Sequence, residues 1–125
     1  MKLLMLKRKN EINLLELTPT KNYQHEINEE GLVDVLVPRF KSKFMQKFIP
    51  KGRSLYIRAN LDEIGSKVWC LIDGKTKVFE IAESLKNDLG EKAEPIYPRL
   101  NLFLTQLYHN GFIYFLELIK EKTNV

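Results

Sequence analysis

The residue types that could do chemistry are few in this chain, and their spacing assembles no reaction centre. The two histidines, His25 and His109, lie far apart, with no HxxxH spacing and no cysteine pair beside them. No metal-ligand set is therefore expected. The six glycines are scattered and form no phosphate-cradling loop. Ser54, Ser66 and Ser84 lack the GxSxG setting of an exposed nucleophile. Asp62 and Glu63 are adjacent at a helix start, where negative charge suits the helix dipole rather than acid–base work. The single cysteine, Cys70, stands mid-helix beside Trp69. It is expected as a small buried hydrophobe, with Trp69 in the core. An unpaired cysteine also fits a reducing compartment, so a cytoplasmic location is expected. This reading predicts no catalytic residue, no metal and no cofactor, and expects that the protein is not an enzyme.

Binding chemistry is better represented. Residues Arg39–Arg53, RFKSKFMQKFIPKGR, carry six basic and no acidic side chains, interleaved with Phe40, Phe44, Met45, Phe48 and Ile49. Phe40, Phe44 and Phe48 would share one helical face. Such a strip suits an acidic surface or nucleic acid. Its plainer reading is a connecting excursion whose aromatics cap the core and whose lysines are solvated. The net charge is +4, but residues 1–58 hold 12 basic and 6 acidic side chains while residues 59–125 hold 8 and 10. DNA affinity rests on neutralising phosphates, so a recognition helix in the acidic half is poorly placed for it.

The chain of 125 residues, 44% hydrophobic, suffices for one domain with its own core. Leu3–Leu6 is shorter than the roughly 7–15 apolar residues of a signal peptide, and its basic cluster follows rather than precedes it. No run approaches the roughly 18 apolar residues of a membrane span.

The elements that would position a site centre on Leu61–Leu85. Leu61, Ile64, Val68, Leu71 and Ile72 have helical spacing, with Asn60 or Asp62 as cap. Asp73-Gly74 stops that helix, since glycine accepts the left-handed conformation of a helix end. Thr76 is the expected N-cap of a second helix with the stripe Val78, Ile81, Ala82, Leu85 and Leu89, ended by Gly90. A third helix begins between Pro95 and Pro98, with the start favoured near Pro98, carries Leu100, Phe103, Leu104 and Leu107 inward, and stops at Asn110-Gly111. Before these helices, Tyr23–Ile27 and Leu32–Val37 read as a hairpin, and Ser54–Ala59 as a third strand with Leu55, Ile57 and Ala59 on its core face. Ile12–Leu17 reads as a short strand or edge segment interrupted at Pro19. Phe112–Leu116 reads as a last strand, the wing, and Phe112–Ile119 is apolar on both faces except at Glu117, so it is either sandwiched or paired with a partner. The fold class expected is α+β: a winged helix-turn-helix with an N-terminal three-stranded antiparallel sheet, three helices and a C-terminal wing strand. Its parts are a basic segment over 1–20, one domain over 21–118 with the excursion at 39–53, and a tail over 119–125.

The string LDEIGSKVWCLIDGKTKVFEIAESL, followed after a gap by RLNLFLTQLYHNGFI, resembles the PqqD-like family, also called RiPP precursor recognition elements. The points of likeness are Gly65, Trp69, Asp73-Gly74, the Thr76–Ile81 element, and a Phe-Leu-x-x-Leu helix before Gly-Phe-Ile. They cover roughly Leu55 to Phe115. The resemblance implies a noncatalytic peptide chaperone that holds the leader of a ribosomally made precursor peptide. It would present that peptide to a modifying enzyme, such as a radical SAM enzyme. It further implies that the leader adds as a strand beside the third helix. Carried onto this chain, the peptide-binding residues are Leu55, Tyr56, Ile57 and Arg58 on the strand, with Arg99, Leu102, Phe103 and Gln106 on the helix. The Arg39–Arg53 excursion is longer than a minimal member needs. Two other readings stand beside this one: a DNA-binding winged-helix regulator, and a structural subunit pairing through Phe112–Ile119. The chain is expected as a monomer or homodimer without a membrane partner.

Overall fold

The computed structural model describes residues 13–40, 47 and 54–123. The protein is α+β, with both of its sheets antiparallel. The expectations for the basic N-terminus and for most of the Arg39–Arg53 strip, including the Phe40–Phe44–Phe48 face, lie outside the described residues.

The strands are β1 (Pro19–Lys21), β2 (His25–Ile27), β3 (Val33–Pro38), β4 (Tyr56–Asn60) and β5 (Ile113–Phe115). Helices α1 (Glu63–Leu71), α2 (Val78–Leu89) and α3 (Ile96–His109) follow β4, and α4 (Leu116–Thr123) follows β5. The three-stranded sheet has the order β2–β3–β4, as the hairpin and third strand predicted. Its turn is built by Asn28, whose Oδ1 accepts from the Glu30 and Leu32 amides at 2.9 and 3.1 Å. The side chain thus supplies the acceptor that the backbone lacks there.

The helix boundaries follow local chemistry. Asp62 caps α1, its Oδ1 accepting from Gly65 N at 2.7 Å. Gly74 takes φ +77 after α1, a region that side chains with a Cβ avoid. Thr76 is not the cap of α2. Asp73 captures it instead, with Oδ1 accepting from the Lys75 and Thr76 amides and Oδ2 from the Thr76 hydroxyl. The helix then starts one residue later, with Lys77 as cap and its amide donating to Glu80 Oε1 at 3.0 Å. Helix α3 begins at Ile96, within the expected Pro95–Pro98 window and earlier than its favoured end at Pro98. Pro98 falls inside its first turn, where an amide has no helical partner to lose.

Three further expectations need correction. Leu14–Glu16 forms a 3-10 turn rather than a strand, because Asn13 Oδ1 accepts from Leu15 N and bends the chain. A fourth helix, α4, continues where a fading tail was expected. The C-terminal strand is indeed paired, but by the chain's own β1, with Pro19 opposite Phe115 and Lys21 opposite Ile113. Pro19 is tolerated because β1 lies at the edge of a two-stranded sheet.

The core joins both ends of the chain. Leu14 and Leu17 are buried with Trp69, Ile81, Leu104, Ile113, Phe115 and Leu118. Val78 N donates to Leu17 O, and Leu116 N to Thr18 O. Glu117 closes the joint: its carboxylate accepts from Thr18 N and from the Thr18 hydroxyl, both at 2.7 Å. Burial alone would raise the Glu117 pKa, but the two bonds from Thr18 outweigh it and hold the carboxyl below its ordinary value.

Candidate functional site

Strand β4 ends the three-stranded sheet, so one of its edges has no strand beside it among the described residues. Its register fixes which groups that edge presents. Arg39 N donates to Leu55 O, and Leu61 N to Val33 O. Val37 faces Ile57 and Val35 faces Ala59. In an antiparallel pair the hydrogen-bonded positions alternate. Ile57 and Ala59 therefore turn their amides and carbonyls toward β3, while Tyr56, Arg58 and Asn60 turn theirs outward. The Tyr56 amide is met by Ser54 Oγ at 3.1 Å. The amides of Arg58 and Asn60 face away from β3, with no strand beside them among the described residues.

The side chains along this strand are unusually exposed for their type: Leu55 45%, Tyr56 43% and Ile57 50%. Leu55 and Ile57 were expected on the core face. Ile57 is on that face by register, opposite Val37, but the helices do not reach it. Burial falls along β3 from Val33, Asp34 and Val35, which are buried, to Leu36, Val37 and Pro38, which are half-buried. The end of the sheet that holds Tyr56 and Ile57 projects past α1, and of β4 only Ala59 is partly covered.

Arg58 lies on the other face of the sheet, over two carboxylates. Glu26 and Asp34 are directly opposite each other on β2 and β3, a pairing that repels. The Arg58 guanidinium bridges them, bonding Glu26 Oε1 and approaching Asp34 Oδ2 at 3.4 Å. Asp34 is buried and also accepts from Asn60 Nδ2 at 2.5 Å and Asn28 Nδ2 at 3.0 Å. Those amide bonds, Asn60 first, hold its carboxyl below the ordinary range, and Arg58 adds to the effect. The bond to Glu26 in turn raises the Arg58 pKa. The sequence offered no sign of this network, since its members are brought into register only by strand pairing.

Beyond Asn60 the chain turns through Leu61 into Asp62, and there a cavity of about 240 Å³ opens between α1 and α3. Arg99, Leu102, Phe103 and Gln106 all line it, against Asp62, Ile64, Gly65 and Val68. Gly65 sets the spacing of the two helices: a Cβ there would lie 3.3 Å from the Phe103 ring and 3.0 Å from Asp62 Oδ1. Leu102 is 60% exposed at the mouth. Arg99 is steadied by a bond from Nη1 to Lys92 O at 3.0 Å, which leaves most of its donors available. The eight candidate residues thus form two groups. Four line the cavity, while Tyr56, Ile57 and Arg58 on β4, with Leu55 just before it, lead to the cavity without lining it. Asp62 joins the groups, being both the cap of α1 and a wall of the cavity. Sequence reasoning named Asp62, together with Asn60, as a possible cap but missed the wall.

The neighbouring residues are committed to structure. Trp69 is fully buried, and its Nε1 donates to His25 Nδ1 at 3.1 Å. Burial first, and Lys21 second, lower the His25 pKa, which preserves the neutral ring that can accept. Cys70 is exposed, against expectation. With Val68 and Trp69 turned inward, the next helical position, about 100° on, falls outside. Among the described residues no three His, Cys, Asp or Glu side chains converge to hold a metal ion, and no helix is long and apolar enough to cross a membrane.

The family model described as Coenzyme PQQ synthesis protein D (PqqD) matches residues 55–113, a span that opens at the β4 edge and takes in all of α1, α2 and α3. No curated protein and no solved structure matches the chain.

Proposed function

We propose, from the match of residues 55–113 to the PqqD family model, that the protein is a noncatalytic peptide-binding adaptor of that family. It binds the leader of a ribosomally synthesised precursor peptide and presents it to a modifying enzyme, such as a radical SAM enzyme. The observation that carries the reading is the open edge of β4, with Arg58 and Asn60 amides directed outward beside exposed Leu55, Tyr56 and Ile57. A peptide that adds there as a fourth strand completes the ladder through its backbone, and pockets for alternate side chains give selectivity. The cavity at Arg99, Leu102, Phe103 and Gln106 is the nearest such pocket, reached past Asn60 and Asp62.

In this reading α1, the Asp73-Gly74 turn, α2 and α3 form the helix-turn-helix, and the β1–β5 pair takes the place of a wing. The DNA-binding alternative is weaker. Helix α3, IYPRLNLFLTQLYH, contains one arginine and no lysine, too few cations to neutralise several phosphates. The structural-subunit alternative is also weaker, because β5 is paired with β1 and Leu116–Thr123 is helical.

The test is amide exchange followed by NMR on the labelled chain. Peptides encoded by short reading frames beside its gene form one arm, and a mixed DNA duplex the other. A bound leader slows the Arg58 and Asn60 amides saturably, while Ile57 and Ala59 are slow with or without it. Shifts confined to the DNA arm and lost with salt would sink the adaptor reading, as would peptide binding that leaves the β4 amides unchanged.

A further inference from the structure

We propose that the opposite flank of α1 is a second docking surface, which takes a cationic, apolar-anchored segment of a partner protein. A cavity of about 710 Å³ lies between the β2–β3 connection, α1 and α2. Ile27, Leu32 and Leu71 give it an apolar floor. Ile27 is 57% exposed on β2, the edge strand opposite β4. Exposing a β-branched side chain over a concave surface costs solvation that a partner would relieve.

The rim gives the occupant its charge. Glu30, Glu63 and Asp88 stand around the cavity with one cation, Lys67. Lys67 Nζ is held by Asp88 Oδ2 at 2.9 Å, so those two charges offset each other. Among the described residues Glu30 and Glu63 have no ion-pair partner. A chain of net charge +4 therefore presents a local negative rim around an apolar floor. Its complement is a segment with leucine-like anchors flanked by lysine or arginine. A second copy of this chain does not fit. A two-fold interface sets a patch against itself, which would face Glu30 and Glu63 with their own equivalents.

Helix α1 separates this surface from the first cavity. Asp62, Gly65 and Val68 line one side, while Glu63, Lys67 and Cys70 line the other. No residue of Leu55–Asn60 lines the second cavity, so the inference stands apart from the peptide reading, and both surfaces can be occupied at once.

Cys70 makes the test direct, being the only cysteine of the chain, exposed and in the lining. Its alkylation by a thiol reagent is followed in the full-length protein with a synthetic amphipathic leucine–lysine peptide, and with the isomer carrying glutamate for lysine. The lysine peptide is expected to slow alkylation saturably, by about fivefold, since the thiolate must be reached to react. The glutamate peptide leaves the rate unchanged. Glu30→Lys with Glu63→Lys loses the protection. Ile27→Ser, at an exposed position that folding tolerates, weakens the peptide about fivefold by removing the floor. No protection, equal protection by both peptides, or protection that survives these substitutions overturns the proposal. So does protection that rises with protein concentration alone, which would assign the surface to a second copy.

Discussion

Arg58 shows how a single side chain divides between folding and binding. It sits on the strand expected to meet a peptide, yet its guanidinium spans Glu26 and Asp34. Two carboxylates in cross-strand register need that cation before any ligand arrives. In the proposed reading Arg58 contributes to binding through its backbone amide on the β4 edge, and among the described residues Arg99 is the cation that lines the cavity. Gly65 is the second decisive residue. Its value is space rather than backbone freedom, since Phe103 and Asp62 close over the position a Cβ would take. Gly65→Ala should lower stability by about 1–3 kcal/mol through overpacking and should shrink the cavity between α1 and α3. A urea midpoint unchanged from the parent protein would show that Phe103 yields without cost and that the glycine does not set the helix spacing.

Strand β4 carries the proposed peptide site, and its two kinds of position make separable predictions. Ile57 gives its amide to β3, and Arg58 turns its amide outward. Ile57→Pro should be less stable than Ile57→Ala by about 1–3 kcal/mol, because a ladder bond is removed and its acceptor orphaned. Arg58→Pro should remain within about 0.5 kcal/mol of Arg58→Ala, yet lose leader binding where Arg58→Ala retains it. Equal destabilisation at the two positions, read by chemical denaturation, would mean that the register has the opposite parity. The exposed apolar run Leu55–Ile57 beside an open edge is otherwise a liability for aggregation, and strand addition by a ligand would cover it.

Across the whole molecule, stability depends on a joint between the two ends of the chain. Leu14, Leu17, Phe115 and Leu118 share one core, and Thr18 is fastened to Glu117 by two bonds. Glu117, Asp34 and Asp73 all have folded pKa values below their ordinary ones. A carboxyl of this kind contributes stability that is present above its unfolded pKa of about 4 and is lost as pH falls through the lower folded value. The urea midpoint should therefore hold from neutrality down to about pH 5 and decline below it. Glu117→Gln should lower the neutral-pH stability by about 1–2 kcal/mol, since a charge-assisted acceptor for Thr18 becomes a neutral one. It should also make the acid limb shallower. An acid limb of unchanged slope in Glu117→Gln would remove Glu117 from this account.

The three central helices were legible from the sequence because each contains its own periodic apolar stripe and its own punctuation. Val68, Trp69 and Ile72 on one stripe, Asp73-Gly74 as a stop, and Val78, Ile81, Ala82 and Leu85 on the next are local signals whose meaning does not depend on distant residues. The hairpin was legible for the same reason, and so was the family resemblance, which rests on those same positions. Helix starts were misplaced by a residue or two where a neighbour competed for the cap, as Asp73 does for Thr76. Tertiary structure alone decided the remainder. Pairing of β1 with β5, the bridge over Glu26 and Asp34, and the exposure of Ile57 and Cys70 each depend on partners far away in the chain. An alternating pattern states which face a side chain occupies; whether another element covers that face is settled only when the helices are packed, and here the uncovered part is where the proposed peptide would add.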